Sequence, residues 1–139
     1  MANAKLTRIL SIDGGGIRGI IPGQILIRLE EILKKLDKNP KAKIADYFDL
    51  MAGTSTGGIL TCIYLCPENE KSKAPRFTAA EAVELYMDRG DEIFDISLWQ
   101  KIQSGAGILD EKYSAKELEE ALEDYLADLK LSELIKPCL

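Results

Sequence analysis

Short runs rich in β-branched residues that stop at glycine clusters alternate, in the first half of the chain, with longer segments whose apolar residues recur every three or four positions. Arg8-Ile9-Leu10-Ser11-Ile12 breaks off at Asp13-Gly14-Gly15-Gly16, the pattern of a buried strand that hands its C-terminal end to a loop. After Gly19, the spacing of Ile21, Ile25, Leu29, Ile32, Leu33 and Leu36 predicts a helix from about residue 21 to 37. Arg28, Glu30, Glu31, Lys34 and Lys35 fall mostly on its opposite, solvent-facing side. Pro22 suits the first turn, where its missing N–H costs nothing, and Asn39-Pro40 stops the helix.

Ile44-Ala45-Asp46-Tyr47-Phe48 reads as a helical turn, and Asp49-Leu50-Met51-Ala52 as a second short strand ending at Gly53. The next run, Ile59-Leu60-Thr61-Cys62-Ile63-Tyr64-Leu65, is apolar nearly all round and predicts a helix buried on most sides. Residues 67–75 form a polar, charged connector expected to be mobile. Thr78-Ala79-Ala80-Glu81 and Ser114-Ala115-Lys116-Glu117 both fit the capping box, so each opens a helix. The first carries Val83, Leu85, Tyr86 and Met87 and stops before Gly90; the second carries Leu118, Leu122, Tyr125, Leu126 and Leu129. Between them, Ile93-Phe94 and Leu98-Trp99 punctuate a segment containing Gly105 and Gly107, expected to be a loop anchored by its aromatics.

Two strands, each followed by a glycine loop and a helix, make a βαβα unit of a parallel α/β sheet. Two parallel strands cannot bury both faces of such a sheet. Leu134-Ile135-Lys136-Pro137-Cys138-Leu139 also resembles a chain entering a further strand. Residues 1–139 are therefore expected to be the N-terminal portion of a longer α/β fold.

Composition narrows the chemistry. The 139 residues are 46% hydrophobic and 29% charged, enough to build a core, and they include no histidine. Within the chain this excludes a Ser-His-Asp or Cys-His set, a His-ligated metal and a His proton shuttle. A net charge of −5 argues against nucleic acid as a partner, and the basic residues in 34–43 read as a solvated helix end. Cys62, Cys66 and Cys138 form no CxxC pair. Cys62 and Cys66 lie four apart on a predicted helix, but nothing completes a metal site, so reduced, buried thiols are expected, with no metal and no cofactor. No signal-peptide pattern or membrane-length apolar run is present, which gives a cytoplasmic expectation.

The two glycine loops carry the candidate chemistry. Gly53-Thr54-Ser55-Thr56-Gly57 matches G-x-S-x-G between a predicted strand and a predicted helix, the context that gives the motif meaning. A nucleophilic serine needs a sharp, strained turn, and Gly53 and Gly57 let strand and helix approach, with Gly58 relieving crowding further. Ser55 is thus the candidate nucleophile, and the N–H of Thr56 at the helix start a candidate oxyanion donor. Gly14-Gly15-Gly16-Ile17-Arg18-Gly19 offers consecutive backbone N–H groups as an anion-binding loop. In one reading it is the oxyanion hole for Ser55, with Arg18 fixing the loop or adding positive potential. The alternative is a non-catalytic phosphate- or nucleotide-binding module, in which Gly14-x-Gly16-x-x-Gly19 is the dinucleotide fingerprint. That reading lacks an acidic residue at the end of the second strand, where Gly53 stands, and Gly53-x-x-x-x-Gly58 lacks the Lys-Ser/Thr of a P-loop.

Asp13-Gly14-Gly15-Gly16-Ile17-Arg18-Gly19 and Phe48-Asp49-Leu50-Met51-Ala52-Gly53-Thr54-Ser55-Thr56-Gly57-Gly58 resemble the two N-terminal signature blocks of the patatin-like phospholipases. The similarity continues through Tyr86, Ile93-Phe94, Lys112-Tyr113-Ser114 and Leu131-Ser132-Glu133-Leu134, and so covers essentially the whole chain. The resemblance implies a three-layer α/β/α fold with a mostly parallel central sheet and a lipid acyl hydrolase of phospholipase A or esterase type. Its implied site is a Ser-Asp dyad with Ser55 as nucleophile and Gly14, Gly15 and Gly16 as oxyanion hole. The implied substrate is a lipid or phospholipid, which can be met at a membrane surface. The family's catalytic aspartate belongs to an Asp-Gly-Gly/Ala block further downstream than this chain extends, and the chain's one Asp-Gly, Asp13-Gly14, lies in the first loop. No base is therefore assigned to Asp46, Asp49, Asp91, Asp95 or Asp110. The remainder of the domain is the expected partner, and the 139 residues alone are expected to be catalytically incomplete.

Overall fold

In the computed structural model, residues 6–88, 122–123 and 125–139 are described. The Ser114–Glu117 capping box, the Ile93-Phe94, Leu98-Trp99 and Lys112-Tyr113 motifs, Gly105, Gly107, Leu118, Asp91, Asp95 and Asp110 lie outside these residues, as do the side chains of Leu85 and Tyr86.

Strand β1 (Ile9–Ile12) leads through a 3-10 turn (Gly16–Gly19) into helix α1 (Ile20–Leu36). A second 3-10 turn (Ile44–Tyr47) precedes β2 (Leu50–Gly53), and α2 (Thr56–Leu65) follows after two residues. The sequence pattern anticipates the two strands, α1 and the second 3-10 turn within a few residues; the 3-10 turn at Gly16–Gly19 stands where the pattern gives plain loop, and α2 begins three residues earlier than its apolar run, directly behind Ser55. The strands pair in parallel, from Ile9 opposite Leu50 to Ile12 opposite Gly53. On the other edge of β2, the Met51 N–H donates to Pro137 O (3.2 Å), the Leu139 N–H to Met51 O (3.1 Å) and the Gly53 N–H to Leu139 O (2.8 Å). Cys138 thus runs parallel to Met51, so β2 has backbone partners on both edges and residues 137–139 take the place of a third strand. The described elements make an α/β arrangement, helices packed on a parallel sheet, as the glycine-terminated strands imply.

The core gathers on β2 and α2. Met51, Ile44, Leu60, Tyr64 and Leu65 are fully buried, and Leu26, Ile12, Ile63, Ala79 and Ala82 close around them. As its composition predicts, α2 is buried on most sides.

Helix α1 departs from its predicted orientation. Its buried positions are Gly23, Leu26 and Glu30, whereas Ile21 and Ile25, assigned to the core face by periodicity, are 62% and 64% exposed. The cause is its packing against α3 (Ala79–Asp88): a Cβ on Gly23 would sit 2.5 Å from Val83 Cγ2, so the glycine marks where the two helices close together. With apolar residues on more than one side, α1 has no single stripe to read.

Glu30, read as a solvent-facing charge, is 3% exposed. Its Oε2 accepts from the N–H groups of Ile44 (2.7 Å) and Ala79 (3.0 Å), and Lys34 Nζ donates to its Oε1 (2.6 Å). One carboxylate thus joins α1 to the first residues of the second 3-10 turn and of α3. At Ala79 it also places negative charge on a helix N-terminus, where the backbone dipoles favour it.

The connector is closed by backbone pairing across its ends. Pro67 and Pro75 form an antiparallel bridge, the Arg76 N–H donates to Cys66 O (2.7 Å) and the Glu68 N–H to Ala74 O (3.1 Å). Inside that closure the Asn69 carboxamide accepts from the Lys71 N–H (3.1 Å), an Asx turn. Lys43, read as part of a solvated basic cluster, holds the far side through Arg76 O (3.0 Å). At the start of α3 the predicted capping box forms: the Glu81 N–H donates to Thr78 Oγ1 (3.2 Å) and the Thr78 N–H to Glu81 Oε2 (2.8 Å). Among the described residues no helix is long and apolar enough to cross a membrane.

Candidate active site

Because β1 and β2 are parallel and end in register, the loops after Ile12 and Gly53 emerge side by side at the C-terminal edge of the sheet. The second loop is two residues long. Ser55 takes φ 52°, ψ −123°, a left-handed conformation that a residue with a Cβ adopts only under strain. A turn this tight requires missing side chains around it. A Cβ on Gly53 would lie 2.3 Å from the Gly57 carbonyl carbon, and one on Gly57 would lie 2.1 Å from Ile12 O. Neither position has room for alanine unless the backbone moves. Gly58 follows in the first turn of α2, where a Cβ would meet Gly53 O at 3.2 Å.

Ser55 occupies the N-cap of α2, a position where serine commonly folds its hydroxyl back onto the helix N–H groups. Its side chain makes no such bond and is exposed. The backbone closes the turn instead, with the Gly57 N–H donating to Thr54 O (2.9 Å) and the Gly58 N–H to Ser55 O (2.9 Å). The hydroxyl therefore stands at the positive end of α2 without serving as its cap.

The glycine loop lies against this turn. A Cβ on Gly14 would sit 2.5 Å from Thr54 O and 2.8 Å from Ser55 Cβ. The Gly14 N–H donates to Thr54 Oγ1 (3.0 Å) and the Gly15 N–H to Thr56 Oγ1 (3.2 Å). Gly16, at φ 61°, turns the chain into the 3-10 turn that ends at the buried Gly19. Arg18 folds back so that its Nε donates to Gly15 O (3.2 Å), fastening the loop to its own helical exit. Ser55, Gly14, Gly15, Gly16, Arg18, Gly53, Thr56, Gly57 and Gly58 are thus brought to one place. The part of Thr54, whose hydroxyl holds Gly14, went unread in the sequence. Its signal is the hydroxyl-bearing residue on each side of the serine.

Asp46 and Asp49 are spent elsewhere. Asp46 Oδ2 accepts from the Lys43 N–H (2.8 Å) at the head of a 3-10 turn, and Asp49 Oδ2 from the Arg8 N–H (2.9 Å) at the start of β1. Neither carboxylate belongs to the serine loop.

The two cysteines four apart, Cys62 on α2 and Cys66 at its C-cap, diverge. Cys66 is buried, with Sγ 3.7 Å from Pro67 O. Cys62 faces Cys138 on the strand segment beside β2, and burial together with that neighbouring, hydrogen-bonded thiol pushes its pKa up to about 11. The nucleophilic thiolate is then scarce at ordinary pH. Iodoacetamide at pH 8 should modify Cys62 far more slowly in the folded protein than after unfolding in urea, as read by peptide mass mapping.

The sequence profile of the family described as patatin-like phospholipase matches residues 10–139. The chain is 44% identical over 135 residues to patatin-like protein 2 of Oryza sativa subsp. indica, covering 94% of this chain and 32% of that protein. To patatin-16 of Solanum tuberosum it is 41% identical over 131 residues, covering 94% of this chain and 31% of that protein. The chain therefore spans about a third of the length of these relatives. Through the match across residues 10–139 and these relatives, the chain belongs to the patatin-like phospholipase family.

Proposed function

We infer that this chain is the nucleophile-bearing part of a lipid acyl hydrolase that cleaves carboxylic esters of lipids, with Ser55 attacking the ester carbonyl. The observation that carries the reading is Ser55 itself: φ 52° in a two-residue turn, exposed, and unused as the cap of the helix it opens. Family membership supports lipid esters as the substrate class, which would be met in a lipid aggregate or at a membrane surface.

In the proposed reaction a general base takes the Ser55 proton as Oγ bonds to the carbonyl carbon, giving a tetrahedral oxyanion. Its collapse expels the alcohol, which receives that proton, and leaves an acyl-serine. Water then adds to the acyl-enzyme, with the base removing its proton, and collapse of the second tetrahedral intermediate releases the fatty acid and restores Ser55. The oxyanion is received by backbone N–H groups of the glycine loop and the start of α2. The N–H groups of Gly14 and Gly15 already donate to threonine hydroxyls, so Gly16 is the preferred donor of that loop. It opens a 3-10 turn, where the first N–H groups have no acceptor within the turn. The same two bonds weigh against a phosphate-binding reading, which needs several loop N–H groups at once.

The base of the proposed Ser-Asp dyad is assigned to an aspartate outside these 139 residues. An unperturbed aspartate, with a pKa of about 3.9, is a weak base at neutral pH, so its placement and burial must assist it. A fluorophosphonate probe should label the full-length protein at Ser55, because only an activated serine reacts. The 139-residue chain should hydrolyse p-nitrophenyl butyrate negligibly beside the full-length protein. Comparable rates would show that the base lies within residues 1–139, and absence of fluorophosphonate labelling in the full-length protein would end the hydrolase reading.

A further inference from the structure

The two glycine-rich loops are laced together by hydroxyls on either side of Ser55. Thr54 Oγ1 accepts from the Gly14 N–H at 3.0 Å and Thr56 Oγ1 from the Gly15 N–H at 3.2 Å, across separations of 40 and 41 residues. Two successive N–H groups of one loop thus meet the i and i+2 hydroxyls of the other. Both hydroxyls sit on backbone that is itself held. The Thr54 N–H donates to Ile12 O (3.2 Å), Thr54 O accepts from the Gly57 N–H (2.9 Å), and Thr56 is buried. The laced loop is within contact distance of the serine side chain, since a Cβ on Gly14 would reach Ser55 Cβ at 2.8 Å.

We propose that Thr54 and Thr56 are positioning residues that set the glycine loop against Ser55 through these two hydrogen bonds, holding the oxyanion donors at the distance the tetrahedral intermediate requires. The proposal rests on the reading of Ser55 as nucleophile. Glycine backbone has wide conformational freedom, so a loop of three consecutive glycines holds one shape only if something outside it fixes that shape. Arg18 secures the exit of the loop through Gly15 O, and the threonines secure its entrance. A mechanical role of this kind depends on the hydroxyl and not on the β-methyl, so serine should replace threonine and valine should not.

The test uses the full-length protein with Thr54→Val, Thr54→Ser, Thr56→Val and Thr56→Ser, and Ser55→Ala as a control. Steady-state hydrolysis of p-nitrophenyl butyrate gives kcat and KM, and thermal melting reports the fold. Each valine variant should lose about tenfold to 100-fold in kcat with KM changed less than about threefold, because misplaced donors weaken the transition state more than substrate binding. Each serine variant should stay within about threefold of the parent, since it keeps the hydroxyl acceptor. Valine variants that fold and keep full kcat, or serine variants as slow as the valine ones, would overturn the proposal. Should a valine variant fail to melt cooperatively, alanine at the same position is read against serine by the same criteria. Activity retained by Ser55→Ala would instead remove the nucleophile assignment, a result separate from the threonine outcomes.

Discussion

Ser55→Ala in the full-length protein is expected to lower ester hydrolysis by on the order of 10⁴-fold or more while leaving its melting temperature nearly unchanged. Both halves follow from the geometry. The hydroxyl is not the cap of α2, so removing it costs the helix no side-chain hydrogen bond. Alanine has the same Cβ as serine and meets the same strain at φ 52°, so the turn neither relaxes nor tightens. What disappears is the atom proposed to form the acyl intermediate. The residual rate should come from the glycine loop and the start of α2, which still bind and polarise the ester; in serine hydrolases such remnants amount to about 10³–10⁴ over water. Hydrolysis of p-nitrophenyl butyrate and a melting curve decide the matter together. A folded Ser55→Ala protein within tenfold of the parent rate would mean that another group is the nucleophile.

Glu30→Ala should have the opposite profile, a large loss of stability from a residue outside the serine loop. The carboxylate is 3% exposed and accepts from two backbone N–H groups and from Lys34 Nζ. Alanine would strand the Ile44 and Ala79 N–H groups without their acceptor, leave a lysine with 24% side-chain exposure unpaired, and open a void between α1 and α3. Buried groups that lose a charged partner in this way cost about 3–5 kcal/mol, a sizeable share of the ~5–15 kcal/mol that holds a domain of this size. Glu30→Gln keeps the volume and one acceptor oxygen but turns an N–H2 toward donors, and should cost about 2 kcal/mol. Lys34→Met, at the more exposed end, should cost about 1 kcal/mol or less. Urea titrations that show a lower midpoint at constant slope would establish this order. A Glu30→Ala protein as stable as its parent would mean that the carboxylate is not the tie the hydrogen bonds describe.

These two residues also separate what local sequence encodes from what it does not. The turn at Ser55 was legible because its requirements are contiguous. Gly53, Ser55 and Gly57 lie within five positions, between an apolar strand and an apolar helix, and the structure shows the close approaches that exclude side chains at both glycines. The Thr78–Glu81 capping box was legible for the same reason. Glu30 was misread because Glu-x-x-x-Lys on an amphipathic helix is the ordinary pattern of a solvated ion pair. Its burial depends on Ile44 and Ala79, 14 and 49 residues away. The orientation of α1 was misread on similar grounds, its true contact face being marked by Gly23 against Val83 and not by its isoleucines.

The amino-acid sequence by itself determined the order of the described elements, the sharp serine turn, the lack of histidine within these 139 residues and the family, because each depends on neighbours along the chain or on composition alone. The tertiary structure decided which face of α1 is buried, which charge becomes the tie beneath it, and how the glycine loop is held. Parallel pairing of β1 with β2 in a single register brings Gly14 and Gly15 to the hydroxyls of Thr54 and Thr56. A shift of that register by one residue would turn the strand side chains to opposite faces and part those partners. Contacts across 40 residues are consequences of the sheet, and they exist only once it has formed.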